Sequence, residues 1–279
     1  MKIEFGYGCG SQTLCVPDEN VLGVLQQNEL ALPEKTAREL VAEAIVHPIG
    51  CPPLREIVHR GEKIAIVTSD ITRPLPSYEI LPELLRALFA CGVEAADVTV
   101  VFAIGSHRRH TPEEMRQLAG DYAFETVRCV DSDPDDCVRL GVTDRGTPVD
   151  ITRAVAEADR RICLGNVEFH WFAGYSGGAK AIMPGVSTRA AIQANHSRMV
   201  EETAHAGKLE GNPVREDIEE AAAMVGVDFI VNVVLDAKKE IIRAVAGDVT
   251  AAHRVGCAFL DTLYRKEIPQ RADIVLVSQ

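Results

Sequence analysis

Three short stretches of this chain gather residues able to do chemistry. Asp70-Ile71-Thr72-Arg73-Pro74 offers a carboxylate, a hydroxyl and a guanidinium within four positions. Such a set can hold a ribose hydroxyl and a phosphate, and it equally reads as an Asx or Thr turn with an exposed arginine. Gly105-Ser106-His107-Arg108-Arg109-His110 offers an imidazole, which exchanges protons near neutral pH. The longest stretch is His170-Trp171-Phe172-Ala173-Gly174-Tyr175-Ser176-Gly177-Gly178-Ala179-Lys180. Its glycines let backbone N–H groups approach an anion and its lysine adds a point charge, although a tight turn with a surface lysine has the same composition. It is not a Walker A loop, because Ala179-Lys180-Ala181 stands where Gly-Lys-Ser/Thr is required. Trp171 reads as a packing residue rather than a substrate contact. His47, His59, His110, His205 and His253 read as ordinary histidines. His107, His170 and His196 have no short metal-binding spacing, so spacing alone establishes no metal site.

The elements that must position these residues follow from hydrophobic pattern and punctuation. Residues 1–16 alternate around glycines and predict a hairpin. Pro33 through Ile45 has helical periodicity, stopped by Cys51-Pro52-Pro53. Lys63–Val67 predicts a buried strand, Ile80–Cys91 a helix, and Val98–Ile104 a second strand. Thr111-Pro112-Glu113-Glu114 is a helix start with a capping box. Residues 125–153 predict short strands around an acidic turn, and Arg161–Gly165 a third apolar strand leading into the glycine-rich stretch 165–187. Residues 195–215 are polar and predict a mobile loop, poorly ordered from about 196 to 212 without a ligand. A helix from Arg215 to Met224, a strand from Phe229 to Leu235 and a helix from Ala251 to Tyr264 follow. This order predicts a doubly wound α/β fold with a mostly parallel sheet and ligand loops at the carboxyl ends of its strands.

Composition narrows the function classes. Apolar residues make up 47% and charged residues 25% of the 279, which excludes a disordered tail, a collagen-like repeat and a disulfide miniprotein. A net charge of −12 argues against bulk nucleic-acid binding but not against a small anionic substrate. No stretch approaches a membrane span, and Met1-Lys2-Ile3-Glu4-Phe5-Gly6 lacks an apolar signal core. The eight cysteines are dispersed without a CxxC, which fits reduced thiols in a cytoplasmic protein.

Taken together, the motifs have a recognisable order. Asp70-Ile71-Thr72-Arg73-Pro74, Gly105-Ser106-His107-Arg108, His170-x3-Gly174-Tyr175-Ser176-Gly177-Gly178-Ala179-Lys180, Pro184-Gly185 and Asn195-His196 resemble the nickel-dependent lactate racemase family. Tyr7-Gly8, Pro17-Asp18-Glu19-Asn20 and Asn212-Pro213-Val214-Arg215 also fit. The resemblance implies nickel and a nickel pincer nucleotide, a nicotinate-derived mononucleotide whose two sulfur-bearing arms hold the metal through sulfur, carbon and sulfur. It implies that Lys180 forms the covalent thioamide link and that His196 supplies the remaining nickel ligand. It further implies that Asp70, Thr72 and Arg73 hold ribose and phosphate, with Ser176, Gly177 and Gly178 as cofactor contacts beside Lys180. His107 and His170 would be the acid/base pair. The implied reaction is racemisation or epimerisation of a small, lactate-like 2-hydroxyacid by hydride transfer to the cofactor. Arg73 or Arg108 could meet the substrate carboxylate.

Family members carry a C-terminal domain that closes over the site. The resemblance therefore sets an expected N-terminal cofactor-binding and catalytic domain over 1–270. Residues 271–279 would be the first strand of a further domain, Ala272–Gln279 being a fresh apolar strand pattern. The expected partners are a small anionic 2-hydroxyacid, that further domain of the same protein and the cofactor-synthesis enzymes, with no nucleic acid and no membrane. Two other readings compete: a catalytically incomplete module that binds the cofactor or another nucleotide, and a phosphate-binding α/β enzyme without nickel.

Overall fold

Alternation of apolar side chains along four runs decides the architecture. Successive side chains of a strand point to opposite faces of the sheet, so a strand buried on both faces divides its residues between two cores. Ile64 and Ile66 enter one core with Val98, Val100, Phe102, Ile162, Leu164, Phe229, Val231 and Val233. Ala65, Val67, Val101, Cys163 and Ile230 enter the other. The structure, a computed structural model, describes residues 1–31, 34–268 and 270–277.

The elements in chain order begin with β1 (Lys2–Tyr7), β2 (Gly10–Cys15), α1 (Ala37–Val46), α2 (Leu54–Ile57), β3 (Ile64–Ser69), α3 (Ser77–Ala90), β4 (Val98–Ala103) and α4 (Pro112–Thr126). Then come β5 (Arg128–Asp131), β6 (Cys137–Val142), β7 (Pro148–Thr152), α5 (Arg153–Ala156), β8 (Arg160–Asn166), β9 (Phe169–His170) and β10 (Gly174–Tyr175). The last are α6 (Arg189–His196), α7 (Pro213–Val225), β11 (Phe229–Leu235), β12 (Ile241–Gly247) and α8 (Ala251–Tyr264). Two compact units result, Met1–Ala31 with Asp261–Gln279, and Leu32–Leu260. In the smaller one, β1 and β2 pair antiparallel from Lys2↔Cys15 to Tyr7↔Gly10.

The larger unit is built on a six-stranded sheet in the order β12-β11-β8-β3-β4-β5. All of its pairings are parallel except β11 with β12. The chain runs from β3 outward through β4 and β5, then returns to β8 on the other side of β3. The strand order therefore reverses between β3 and β8, and such a reversal opens a crevice at the strand carboxyl ends. The α/β architecture expected from the sequence is the one observed. Both α1 and α4 start on capping boxes, Thr36 with Glu39 and Thr111 with Glu114. No described helix is long and apolar enough to cross a membrane.

Four local expectations are corrected. The first helix begins at Ala37 after its Thr36 cap, and Pro33 lies outside the described residues. Strand β12 has no counterpart in the sequence reading; it is an antiparallel edge that returns through a tight turn in which Lys239 takes φ 66°. Residues 195–215 are not an open loop: α6 runs to His196, and Asn195 and Asn212 are fully buried. The Asn212 amide fixes that segment by donating to the carbonyls of Phe172 (2.9 Å) and Lys208 (3.1 Å). Finally, Ile274–Val277 are in no strand and stay 46–76% exposed, since a strand forms only against a ladder partner. Ser278 and Gln279, the end of that expected strand, lie outside the described residues.

Candidate active site

Loops leaving β3, β4 and β8 carry the three chemical stretches to one end of the sheet, flanking the strand-order reversal. Asp70 follows β3 directly and is buried, whereas the His107 side chain is 44% exposed. His107 Nδ1 lies 2.6 Å from Asp70 Oδ2. A carboxylate accepts, so Nδ1 carries a proton, and in the neutral ring Nε2 is the bare nitrogen. The Thr72 hydroxyl donates to the same carboxylate, 3.0 Å from each oxygen. Arg73 is exposed beside them.

A buried pair behind this loop holds it in place. His110 Nδ1 donates to Asp131 Oδ1 (2.6 Å), and its Nε2 accepts the Ile71 N–H (3.1 Å). The His110 side chain is 1% exposed and that of Asp131 2%. His110 is thus no ordinary surface histidine; it ties the end of β5 to the loop that presents Asp70, Thr72 and Arg73.

The stretch after β8 folds into the small hairpin β9–β10 and then a turn of 3-10 helix over Gly178–Ala181. Gly174 has φ +76°, and a Cβ there would stand 2.0 Å from the Lys208 carbonyl oxygen, so only glycine fits. Arg215, fully buried on α7, braces the hairpin through its Nε to the Ala173 carbonyl (3.1 Å) and its Nη2 to the Tyr175 carbonyl. Burial pushes the Arg215 pKa down to about 10. The Ser176 hydroxyl is committed to the backbone, accepting from Glu168 N–H (2.8 Å) and donating to the Asn166 carbonyl (2.7 Å).

Gly177 and Gly178 serve close packing. A Cβ on Gly178 would stand 2.9 Å from the His253 ring, and one on Gly177 would stand 2.8 Å from Asn232 Oδ1. The Gly178 N–H donates to Asn232 Oδ1 (2.7 Å), and His253 Nε2 donates to the Ser176 carbonyl (2.8 Å). The Gly178 N–H is thereby committed within the protein. His253, read as ordinary, is 1% exposed and clamps the glycine turn from α8.

Phe172, itself 5% exposed, stands at the centre of the remaining candidates. Its ring centroid is 4.4 Å from that of His170 and 4.9 Å from that of His196, both edge-on, and Lys180 Nζ lies 5.8 Å from it. Trp171 meets Phe172 at 4.9 Å but is 71% exposed. The expected packing role falls instead to its neighbour Phe172, which the turn between β9 and β10 directs inward. Phe172 had no signal in the sequence beyond its place in the motif.

The electrostatics of this cluster favour uncharged bases. Burial pushes the His170 pKa down to about 3, with the cationic side chains of Lys180, Arg73 and Arg215 adding to it. Burial, then Lys180, pushes His196 down to about 4. Lys180 is held well below its usual range by burial first and then by Arg215 and Arg73. Among the described residues, no carboxylate pairs with Lys180. A desolvated, unpaired amine is a nucleophile. His170 Nδ1 accepts the Ala173 N–H (3.2 Å), leaving Nε2 to exchange a proton.

Among the described residues, no group of three His, Cys, Asp or Glu side chains converges to hold a metal ion. The buried amide nitrogens of Asn166, at the end of β8, and Asn232, in the middle of β11, have no hydrogen-bond partner. Buried donors of this kind call for a ligand or water to accept from them.

The fold and site together define a doubly wound α/β protein with a candidate ligand site at its strand-order reversal. The family model for the lactate racemase N-terminal domain matches residues 7–207. A lactate racemase of Lactiplantibacillus plantarum is 37% identical over 269 residues, which cover 94% of this chain and 63% of the relative. A lactate racemase of Thermoanaerobacterium thermosaccharolyticum is 34% identical over 283 residues, covering 99% of this chain and 66% of the relative. The structure of a lactate racemase apoprotein from the same organism superposes with a TM-score of 0.86 at 34% identity, over 94% of this chain and 63% of that one. A Thermotoga maritima protein shares the fold, with a TM-score of 0.63 at 20% identity over 81% of this chain and 58% of that one. The chain spans about two thirds of the length of the curated relatives it matches. It belongs to the lactate racemase family, matching that family's N-terminal domain.

Proposed function

We propose that this chain carries the cofactor site and the acid/base histidines of a nickel-dependent racemase acting on lactate or a close 2-hydroxyacid. The single observation that carries the reading is the cluster around Phe172, where an unpaired, half-buried amine, Lys180, and two imidazoles, His170 and His196, share one aromatic neighbour. The residues suit a nickel pincer nucleotide: Lys180 for the covalent link, His196 Nε2 for the open metal position, and Asp70, Thr72 and Arg73 near ribose and phosphate. When bound, that group supplies a two-electron acceptor for the hydrogen on carbon 2 of the substrate.

The chain's own residues handle the proton. As carbon 2 loses its hydrogen, the hydroxyl must lose a proton, and His107 Nε2 is the bare ring nitrogen that can receive it. Asp70, at 2.6 Å from Nδ1, stabilises the imidazolium that results. His170 is the acid/base group for the opposite face. Its Nε2, which carries the ring hydrogen while Nδ1 accepts the Ala173 N–H, hydrogen-bonds the substrate oxygen there, and each ring exchanges its proton with solvent between turnovers. Arg73 offers a charge for the substrate carboxylate.

The test is to join the C-terminal domain of the family to this chain, without which the chain is expected to be inactive, and to load the cofactor. The protein is then incubated separately with each lactate enantiomer and the product followed by chiral chromatography. Both should converge on the racemate. His107→Ala and His170→Ala should each slow this by about 10²–10⁴. Loaded protein that leaves both enantiomers untouched would contradict the proposal.

A further inference from the structure

Asn195 precedes His196 at the end of α6 and is fully buried. Its Nδ2 donates to the Val214 carbonyl (3.1 Å) and to Asp217 Oδ2 (2.7 Å). Its Oδ1 lies 3.1 Å from His196 Nδ1. Asp217, also fully buried, accepts from Thr143 Oγ1 (2.5 Å) and Thr147 Oγ1 (2.6 Å). The Thr147 N–H in turn donates to Thr143 Oγ1 (3.1 Å), so the Thr143 hydroxyl hydrogen is directed to the carboxylate.

Donor and acceptor chemistry leaves one consistent assignment. A carboxylate and a carbonyl only accept, so both must face the NH₂ of the Asn195 amide. The amide oxygen then faces His196, and an oxygen only accepts. His196 Nδ1 must therefore carry the hydrogen, and Nε2 must be bare. Free neutral histidine prefers the opposite tautomer, with the hydrogen on Nε2.

We propose that Asp217, through Asn195, is a positioning residue that locks His196 in the Nδ1–H tautomer and presents Nε2 as a ready electron-pair donor. The relay runs from the β6–β7 turn residues Thr143 and Thr147, through α7, to the end of α6. Metal-bound imidazoles are commonly oriented by a hydrogen bond from their other nitrogen. Here that hydrogen bond is in place in the protein alone. The tautomer lock rests on the hydrogen bonds given above; its use for nickel rests on the function proposed for this site.

The experiment is ¹⁵N NMR of the imidazole nitrogens in histidine-labelled chain without cofactor, at a pH well above the His196 titration. His196 should show a protonated Nδ1 and a bare Nε2. A protonated Nε2 in the unaltered chain overturns the proposal, whatever any variant does. Asp217→Leu, of similar shape, removes both acceptor oxygens that fix the Asn195 amide, and the Nε2 signal should move toward the protonated position. An unchanged tautomer in that variant also overturns it, whether or not melting changes, because a merely structural aspartate would affect melting alone. In cofactor-loaded protein, Asp217→Leu should release nickel about 10- to 100-fold faster. A shifted tautomer with unchanged nickel release would leave the relay standing and count against His196 as the metal ligand.

Discussion

His107 Nδ1 and Asp70 Oδ2, from loops after two different parallel strands, meet at 2.6 Å. The pairing sets which nitrogen of the more exposed partner is free for substrate. It also places a buried negative charge where a positive one develops during proton transfer. Asp70→Asn keeps the shape and removes that charge. Turnover in the loaded protein is expected to fall by about 10²-fold or more. The covalent adduct should remain, as read by intact mass. Full turnover in Asp70→Asn would mean that the pair plays no part in proton transfer.

The loop carrying Asp70 depends on His110. Replacing His110 with Phe leaves the Asp131 carboxylate and the Ile71 N–H without their partner in a buried place. The expected loss is about 2–4 kcal/mol of stability, measured by urea unfolding. An unchanged unfolding midpoint would show that the buried pair contributes nothing net.

One buried and two half-buried histidines should make the fold acid-sensitive. Burial pushes the folded pKa values of His170 and His253 down to about 3 and that of His196 to about 4. An unfolded histidine titrates near 6.5. Between those values the unfolded chain binds more protons than the folded one, so stability rises with pH across the window. It is fully present above about pH 6.5 and is lost as pH falls toward 4. Unfolding midpoints measured through this range should show the decline. In His253→Gln, which can still donate to the Ser176 carbonyl, the slope should lessen by about one proton.

Much of this frame was legible in the residues. Strands β3, β4, β8 and β11 are aliphatic runs of the kind buried on both faces, and the Thr111–Glu114 capping box lies where the sequence placed it. Asp70, His107 and His170 stood out because each follows a strand at the end where α/β sheets bind ligands. What could not be read is what touches them. Asn195 and Asp217 are 22 positions apart and His110 and Asp131 are 21 apart, on elements whose docking no local spacing encodes. Phe172 and Trp171 are adjacent aromatics of the same composition class, and only the fold decides which one is buried. Strand β12 was missed because an edge strand interrupted by Arg243 gives a weak pattern.

The central claim is that Lys180 is the attachment point of a nickel-bearing nucleotide. The most direct measurement is the intact mass and nickel content of this chain produced alongside the enzymes that make the cofactor. The expected result is one covalent adduct per chain with one nickel, absent from Lys180→Ala, since no other side chain there supplies an amine for a thioamide bond. An unmodified chain, or a Lys180→Ala variant that keeps the adduct, would contradict it.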